Sequence, residues 1–302
     1  MHFFKKIKEI KKTEGDIIEI KRFLSLKEVK TILNYNKKNK NYFVNRNDGS
    51  KSAFNRIIKK PVRSINKWHP KIKNILLPKI NNLFKDVNFY VHSNEFPPHI
   101  FKSYYPLKIH ADTGKNNSEE VPFKQILIPL YINKNSKNVF TIFFKNRWYG
   151  PAANFRYNKT ITDPLEIVDK NKKFIRINNL KHFLYYLIKE KKQKYVIYNK
   201  GNFFNNENLR KKIKNLINKK RYNITTSKFI NRRKKFSLKI YKKYLTHEDY
   251  NDFIGLKFWK AIKWKVGNAI IWDRNIIHSS NNFIKFNVSS KIGLSVFLNR
   301  KV

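Results

Sequence analysis

The sequence predicts a mainly β protein with flanking helices (α+β), its strands mostly antiparallel and suited to a jelly-roll barrel. Three observations carry this. Helical periodicity dominates the first third of the chain. Short apolar strands begin near residue 98. Strands return after residue 258, following a long irregular stretch.

Each element has its own signal. In 23-FLSLKEVKTIL-33, Ser25 stands as an N-cap with Glu28 three residues on, a capping box. Leu26, Val29, Ile32 and Leu33 recur at helical spacing behind it. A second helix is expected over 70-PKIKNILLPKINNLFKDV-87, with Pro78 a break or kink inside it. The runs 100-IFKSYYPLKIH-110, 125-QILIPLYI-132 and 139-VFTIFF-144 read as strands. Residues 181–190 and 207–220 read as helices, and 228–244 as a solvated loop or lid. Strands resume at 258–266 and 268–273, separated by a turn at Gly267, and end with 291-KIGLSVFLN-299. The chain is read as one domain, 1–302. Residues 1–97 form a helical support, 98–144 and 247–302 the barrel core, and 145–246 an insertion.

Composition bounds the chemistry. The chain has no cysteine, which excludes disulfides, thiolate-bound metals and a thiol nucleophile. No stretch approaches the roughly 18 apolar residues of a membrane span. The start, MHFFKKIKEIKK, lacks the apolar core of a secretory signal. The net charge of +47 suggests a nucleic-acid binder. However, 54 of the 67 basic residues are Lys, and Asn, Ile, Phe and Tyr are abundant beside them. That is the signature of A/T-rich codons, whereas selection for base or phosphate recognition favours Arg. Non-specific, salt-sensitive polyanion binding is still expected.

The site candidates begin at 107-LKIHADTG-114. His110 and Asp112 stand two apart, which on a strand is one face. His278 follows the apolar strand 268-NAIIWD-273 and a turn at Asp273 and Arg274. Thirteen residues later Lys291 opens the last strand, with Gly293 and Ser295 on the same face. Taken singly, each has an ordinary reading: a polar pair at a strand end, a loop histidine, one lysine among 54. Order, spacing and strand context together favour a metal site.

In that order the residues resemble the Fe(II)- and 2-oxoglutarate-dependent oxygenases. The segment 264-WKVGNAIIWDRNIIHSSNNF-283 and the final strand are similar to members from marine bacteria and phages, and 23-FLSLKEV-29 to the N-terminal helix of prolyl-hydroxylase-type members. The resemblance covers about a third of the chain and implies a double-stranded β-helix. It also implies Fe(II) held by His110, Asp112 and His278, with 2-oxoglutarate and O2 as co-substrates. Two His and one carboxylate fill one face of an octahedral iron and leave the other open. Lys291 would bind the far carboxylate of 2-oxoglutarate, with Ser295 and a tyrosine, Tyr104 first among Tyr104, Tyr105 and Tyr131, in support. Thr141 occupies a place like a Thr of prolyl-hydroxylase-type sequences. The presence of Asp112 favours hydroxylation, since related halogenases lack the carboxylate. Succinate and CO2 would be released, and the substrate would be a protein side chain or a small metabolite. A cytoplasmic location is expected, in an A/T-rich microbe or, for a phage-encoded chain, its host.

A second His-x-Asp lies at His247 and Asp249, only 31 residues before His278. That is too few for the intervening core strands, so it reads as a structural, capped helical turn. Two other functions stay open from sequence: a basic nucleic-acid-binding or nucleobase-modifying protein on the same barrel, and a cupin-like metal protein that does not use 2-oxoglutarate.

Overall fold

The computed structural model describes residues 9–38, 70–87, 99–114, 121–133, 138–148 and 235–300, with short strand segments at 43–45, 54–55, 60–61, 63–65, 89–91, 153–156, 159–162, 165–168, 174–177 and 197–199. The expected helices at 181–190 and 207–220, and most of the expected lid, lie outside these residues.

Two six-stranded sheets form the body. The labels used here are β1 (Ile18–Ile20), α1 (Leu26–Lys38), α2 (Pro70–Leu83), β2 (Phe89–Val91), β3 (His99–Ser103), β4 (His110–Ala111), β5 (Val121–Ile132), β6 (Phe140–Arg147), β7 (Ala153–Arg156), β8 (Lys159–Thr162), β9 (Phe258–Lys263), β10 (Ala269–Asp273), β11 (Ile276–Ser280) and β12 (Lys291–Arg300). The first sheet runs β1-β10-β5-β12-β2, with β3 also paired to β12. The second runs β8-β7-β4-β11-β6-β9.

All the pairings are antiparallel, and eight strands define the architecture. The chain alternates between sheets through β3, β4, β5 and β6. It returns through β9, β10, β11 and β12, pairing β6 with β9, β5 with β10, β4 with β11 and β3 with β12. A two-stranded ribbon that winds between two sheets is a double-stranded β-helix, the jelly-roll variant expected from the sequence.

Alternation along the strands separates two cores. Ile126, Ile128, Ala269, Ile271, Leu294 and Val296 face outward and pack against Val29 and Ile32 of α1 and Ile72, Leu76 and Ile80 of α2. Leu127, Phe143, Ile262, Ile270 and Trp272 face inward between the sheets. Each fully buried Ile or Leu contributes about 1.5–3 kcal/mol, so the helices are bound to the sheet by their apolar stripe. The capping box is present: Glu28 N–H donates to Ser25 Oγ at 3.2 Å, and Ser25 N–H donates to Glu28 Oε2 at 2.7 Å. The same carboxylate accepts from Lys79 at 3.2 Å, tying α1 to α2.

The structure refines three expectations. Of the break or kink expected at Pro78, the break does not occur: the second helix runs through it from Pro70 to Leu83. Pro78 and Asn74 both lie on the exposed face, where water can satisfy the carbonyl that Pro78 leaves without a donor. The run 100–110 is not one strand. It bends at Tyr104 and Tyr105, before Pro106, and β3 and β4 lie in different sheets. The end of the expected loop at 228–244 is helical: Ser237 caps a turn that continues to Leu245, and Phe236 is buried against Phe144 and Phe253. Gly267 turns as expected, at φ +82°. A Cβ there would come within 2.5 Å of the Leu24 carbonyl oxygen, which only glycine avoids.

Candidate metal centre

His110 and His278 are direct partners in the β4–β11 pairing, and Asp112 leaves β4 two residues after His110. One ligand atom from each of the three lies within 4.8 Å of the others. Asp112 Oδ2 is 3.6 Å from His110 Nε2 and 3.4 Å from His278 Nε2. The imidazole centroids are 4.2 Å apart.

Both rings are held by their other nitrogen. His110 Nδ1–H donates to the Lys108 carbonyl at 2.6 Å, and His278 Nδ1–H to the Ile276 carbonyl at 3.0 Å. Each bond leaves an Nε2 lone pair directed at the common point, the arrangement of metal-ligating histidines. Burial alone would raise the Asp112 carboxyl, but His110 and His278 outweigh it and hold the group well below the usual carboxylate range. Burial lowers the His278 imidazole, and the neighbouring His110 lowers it further. For His110, burial acts downward but Asp112 prevails, so the net shift is upward. An anionic carboxylate and two converging imidazoles fit an Fe(II) facial site with open positions.

Arg274 holds the Asp112 backbone from the β10–β11 turn. It is fully buried, and its Nε–H donates to the Asp112 backbone carbonyl at 2.8 Å. The guanidinium also bonds Asn299 and stacks over Phe297 at 5.3 Å.

Lys291 crosses the barrel interior from the opposite sheet. It is 2% exposed, and its ammonium donates to Ser280 Oγ at 2.8 Å. The Trp264 ring lies 3.7 Å from Nζ and the Phe283 ring 4.9 Å. No carboxylate pairs with it among the described residues, and burial pushes its pKa down to about 7. Ser280 is two residues after His278, so the two share one face of β11 about 7 Å apart along the strand. The Trp264 indole N–H donates to Thr141 Oγ at 2.9 Å, which places Thr141 in the same wall. Gly293 keeps that wall open: a Cβ there would meet Phe101 at 2.9 Å and Trp264 at 3.1 Å.

The hydroxyl bonded to Lys291 is therefore that of Ser280, which carries no motif in the sequence. Ser295 is buried farther along β12. Tyr104 is half-buried in the bend after β3, with Lys102 Nζ 5.0 Å above its ring. Tyr131 is exposed on β5.

The second His-x-Asp is, as expected, not a ligand pair. Asp249 caps the short helix Tyr250–Phe253, accepting from Asn251 N–H. The His247 side chain is largely covered, which lowers its pKa to about 4, and its Nε2 faces the Leu107 carbonyl at 3.3 Å. Glu248, between them, is buried beside the metal centre. Its Oε1 accepts from the Ile109 backbone N–H at 3.0 Å and lies 3.2 Å from Ser279 Oγ. Burial pushes its carboxyl up to about 8.

No family model and no curated protein matches the chain. Solved structures do superpose on it. The α-ketoglutarate-dependent carbocyclase SnoK of nogalamycin biosynthesis covers 97% of this chain and 82% of its own, at 11% identity and a TM-score of 0.45. HygX from Streptomyces hygroscopicus, with nickel and 2-oxoglutarate bound, covers 97% and 85%, at 9% identity and a TM-score of 0.43. EctD from S. alaskensis, with 2-oxoglutarate and 5-hydroxyectoine, covers 96% and 73%, at 10% identity and a TM-score of 0.40. Likenesses of this size say nothing about activity, and the chemistry rests on the residues above. Among the described residues no helix is long and apolar enough to cross a membrane.

Proposed function

We propose that the protein is an Fe(II)- and 2-oxoglutarate-dependent oxygenase that hydroxylates a protein side chain or a small metabolite. One observation carries the reading. A buried ammonium with no carboxylate partner among the described residues shares a barrel interior with a His-Asp-His cluster whose ligand atoms converge. A buried cation without a counter-charge is costly unless an anion joins it. A diacid that chelates at one end and ends in a carboxylate answers both features.

When bound, Fe(II) with 2-oxoglutarate and O2 supplies oxidative decarboxylation coupled to oxidation of a substrate C–H bond, releasing succinate and CO2. The residues divide the remaining work. His110, Asp112 and His278 hold the metal, and their carbonyl bonds fix the imidazole tautomers. Lys291, with Ser280 and Thr141 beside it, binds the far carboxylate, and Trp264 and Phe283 exclude water from that end. The surfaces left for substrate include three buried polar atoms with no partner among the described residues. They are Thr113 Oγ, Gln125 Oε1 and the indole N–H of Trp272, whose ring lies 5.1 Å from His278. Gln125 and Trp272 are cross-strand partners. A neutral hydroxyl- or amide-bearing substrate would give such groups partners.

The test is to load the protein with Fe(II) anaerobically, add 2-oxoglutarate, admit oxygen and measure succinate. Slow, substrate-free turnover that disappears in His110→Ala is expected. Succinate formation undiminished in His110→Ala would refute the assignment.

A further inference from the structure

Glu248 sits in what the sequence presents as a structural turn, yet the structure inserts its carboxyl group between the two strands that carry the histidines. The β4–β11 pairing is a single residue pair, His110 with His278. Next to it the Ile109 N–H donates to Glu248 Oε1 at 3.0 Å. Ile109 immediately precedes His110. Ser279, which immediately follows His278, has its Oγ 3.2 Å from the same oxygen and 3.0 Å from the Leu107 carbonyl. One carboxyl oxygen thus reaches the neighbours of both histidine ligands, beside the Leu107 carbonyl, which accepts from the Ser280 backbone N–H at 3.1 Å.

The surroundings fix the carboxyl group in place. Glu248 is held by the turn at Leu245–Glu248 and by Tyr241, whose hydroxyl donates to the Glu248 carbonyl at 2.9 Å. Behind it, His247 lies against Leu107 and against Glu248 Oε1 at 3.4 Å. A buried backbone N–H deprived of its acceptor costs about 1–3 kcal/mol. The chain would recover that cost by shifting β4, and such a shift carries His110 with it.

We infer that Glu248 is a positioning residue: it braces β4 against β11 and so sets the spacing of the His110 and His278 ligand atoms. This rests on the metal-site reading above. The requirement is for an acceptor at Oε1, which a glutamine amide also supplies.

The test is anaerobic Co(II) titration of the metal-free protein, followed through its ligand-field absorption, with the melting temperature of each metal-free variant measured alongside. Glu248→Ala is expected to bind Co(II) about 10- to 100-fold more weakly, the usual effect of removing an outer partner of a metal ligand, with a changed spectrum. Glu248→Gln is expected to restore affinity and spectrum to near wild type. Ser279→Ala keeps the Ile109 bond and is expected to lose about fivefold. A folded Glu248→Ala with wild-type affinity and spectrum overturns the inference. So does a Glu248→Gln that fails like the alanine variant. Should Glu248→Ala not fold, Ser279→Ala decides, and an unchanged affinity and spectrum there overturns it. A wild type that binds no Co(II) overturns the metal site itself and this inference with it. Wild-type binding with unaffected variants overturns the inference alone.

Discussion

Two copies of His-x-Asp occur in this chain, and only one is built to hold a metal. In the first, each group leaves a ligand atom free: His110 uses Nδ1 on a carbonyl, and Asp112 turns Oδ2 between two imidazoles. In the second, the side chains serve backbone. His247 turns its Nε2 to the Leu107 carbonyl, and Asp249 caps a helical turn. The lesson is that a ligand motif is defined by what its atoms have left over. The same letters on a strand beside a second histidine make a site, and on a capped turn they make a support.

Substitution in either copy sharpens this contrast. His110→Ala should abolish high-affinity Co(II) binding, a loss of at least about 100-fold, while His247→Ala should leave affinity within a few-fold; equal losses in calorimetric titrations would erase the distinction. The smallest expected effect is at Asp249. Removing that cap should lower stability by about 1 kcal/mol, seen as a small drop in melting temperature, with metal binding unchanged. A weakened metal site in Asp249→Ala would mean that the second copy reaches the first through the turn.

Legibility in the sequence followed the same division. The strands at 125–132, 139–144, 258–266, 268–273 and 291–299 could be read because apolar runs are local signals, whereas β11, short and directly after a turn, was not read as a strand. His110, Asp112 and His278 were legible from spacing and strand context. Ser280 was within reach, because the two-residue rule that joins His110 to Asp112 also joins Ser280 to His278. Glu248 was not: its bond to Ile109 spans 139 residues and has no local signature. The strands β3 and β4 merged in the sequence because Tyr104, Tyr105, Leu107 and Ile109 continue an apolar and aromatic run between them, through the bend before Pro106. The isolation of Lys291 was also hidden. Its place at the start of the last strand marked Lys291 as a candidate, but among 54 lysines the sequence does not show that this one is buried, and burial is what gives it a role.

The most direct test is the dissociation constant of 2-oxoglutarate for the Fe(II)-loaded protein, measured anaerobically against pH through the visible charge-transfer band. Burial lowers the Lys291 pKa to about 7. Above that pH the ligand-free lysine is neutral and binding must take up a proton. The wild-type constant should therefore be flat below about pH 7 and rise by up to about tenfold per unit above it. Lys291→Ala should bind about 10- to 100-fold more weakly at pH 6.5 and lose that slope. No band in the wild type, or a Lys291→Ala curve that overlies the wild type, would contradict a co-substrate held between the His-Asp-His centre and Lys291.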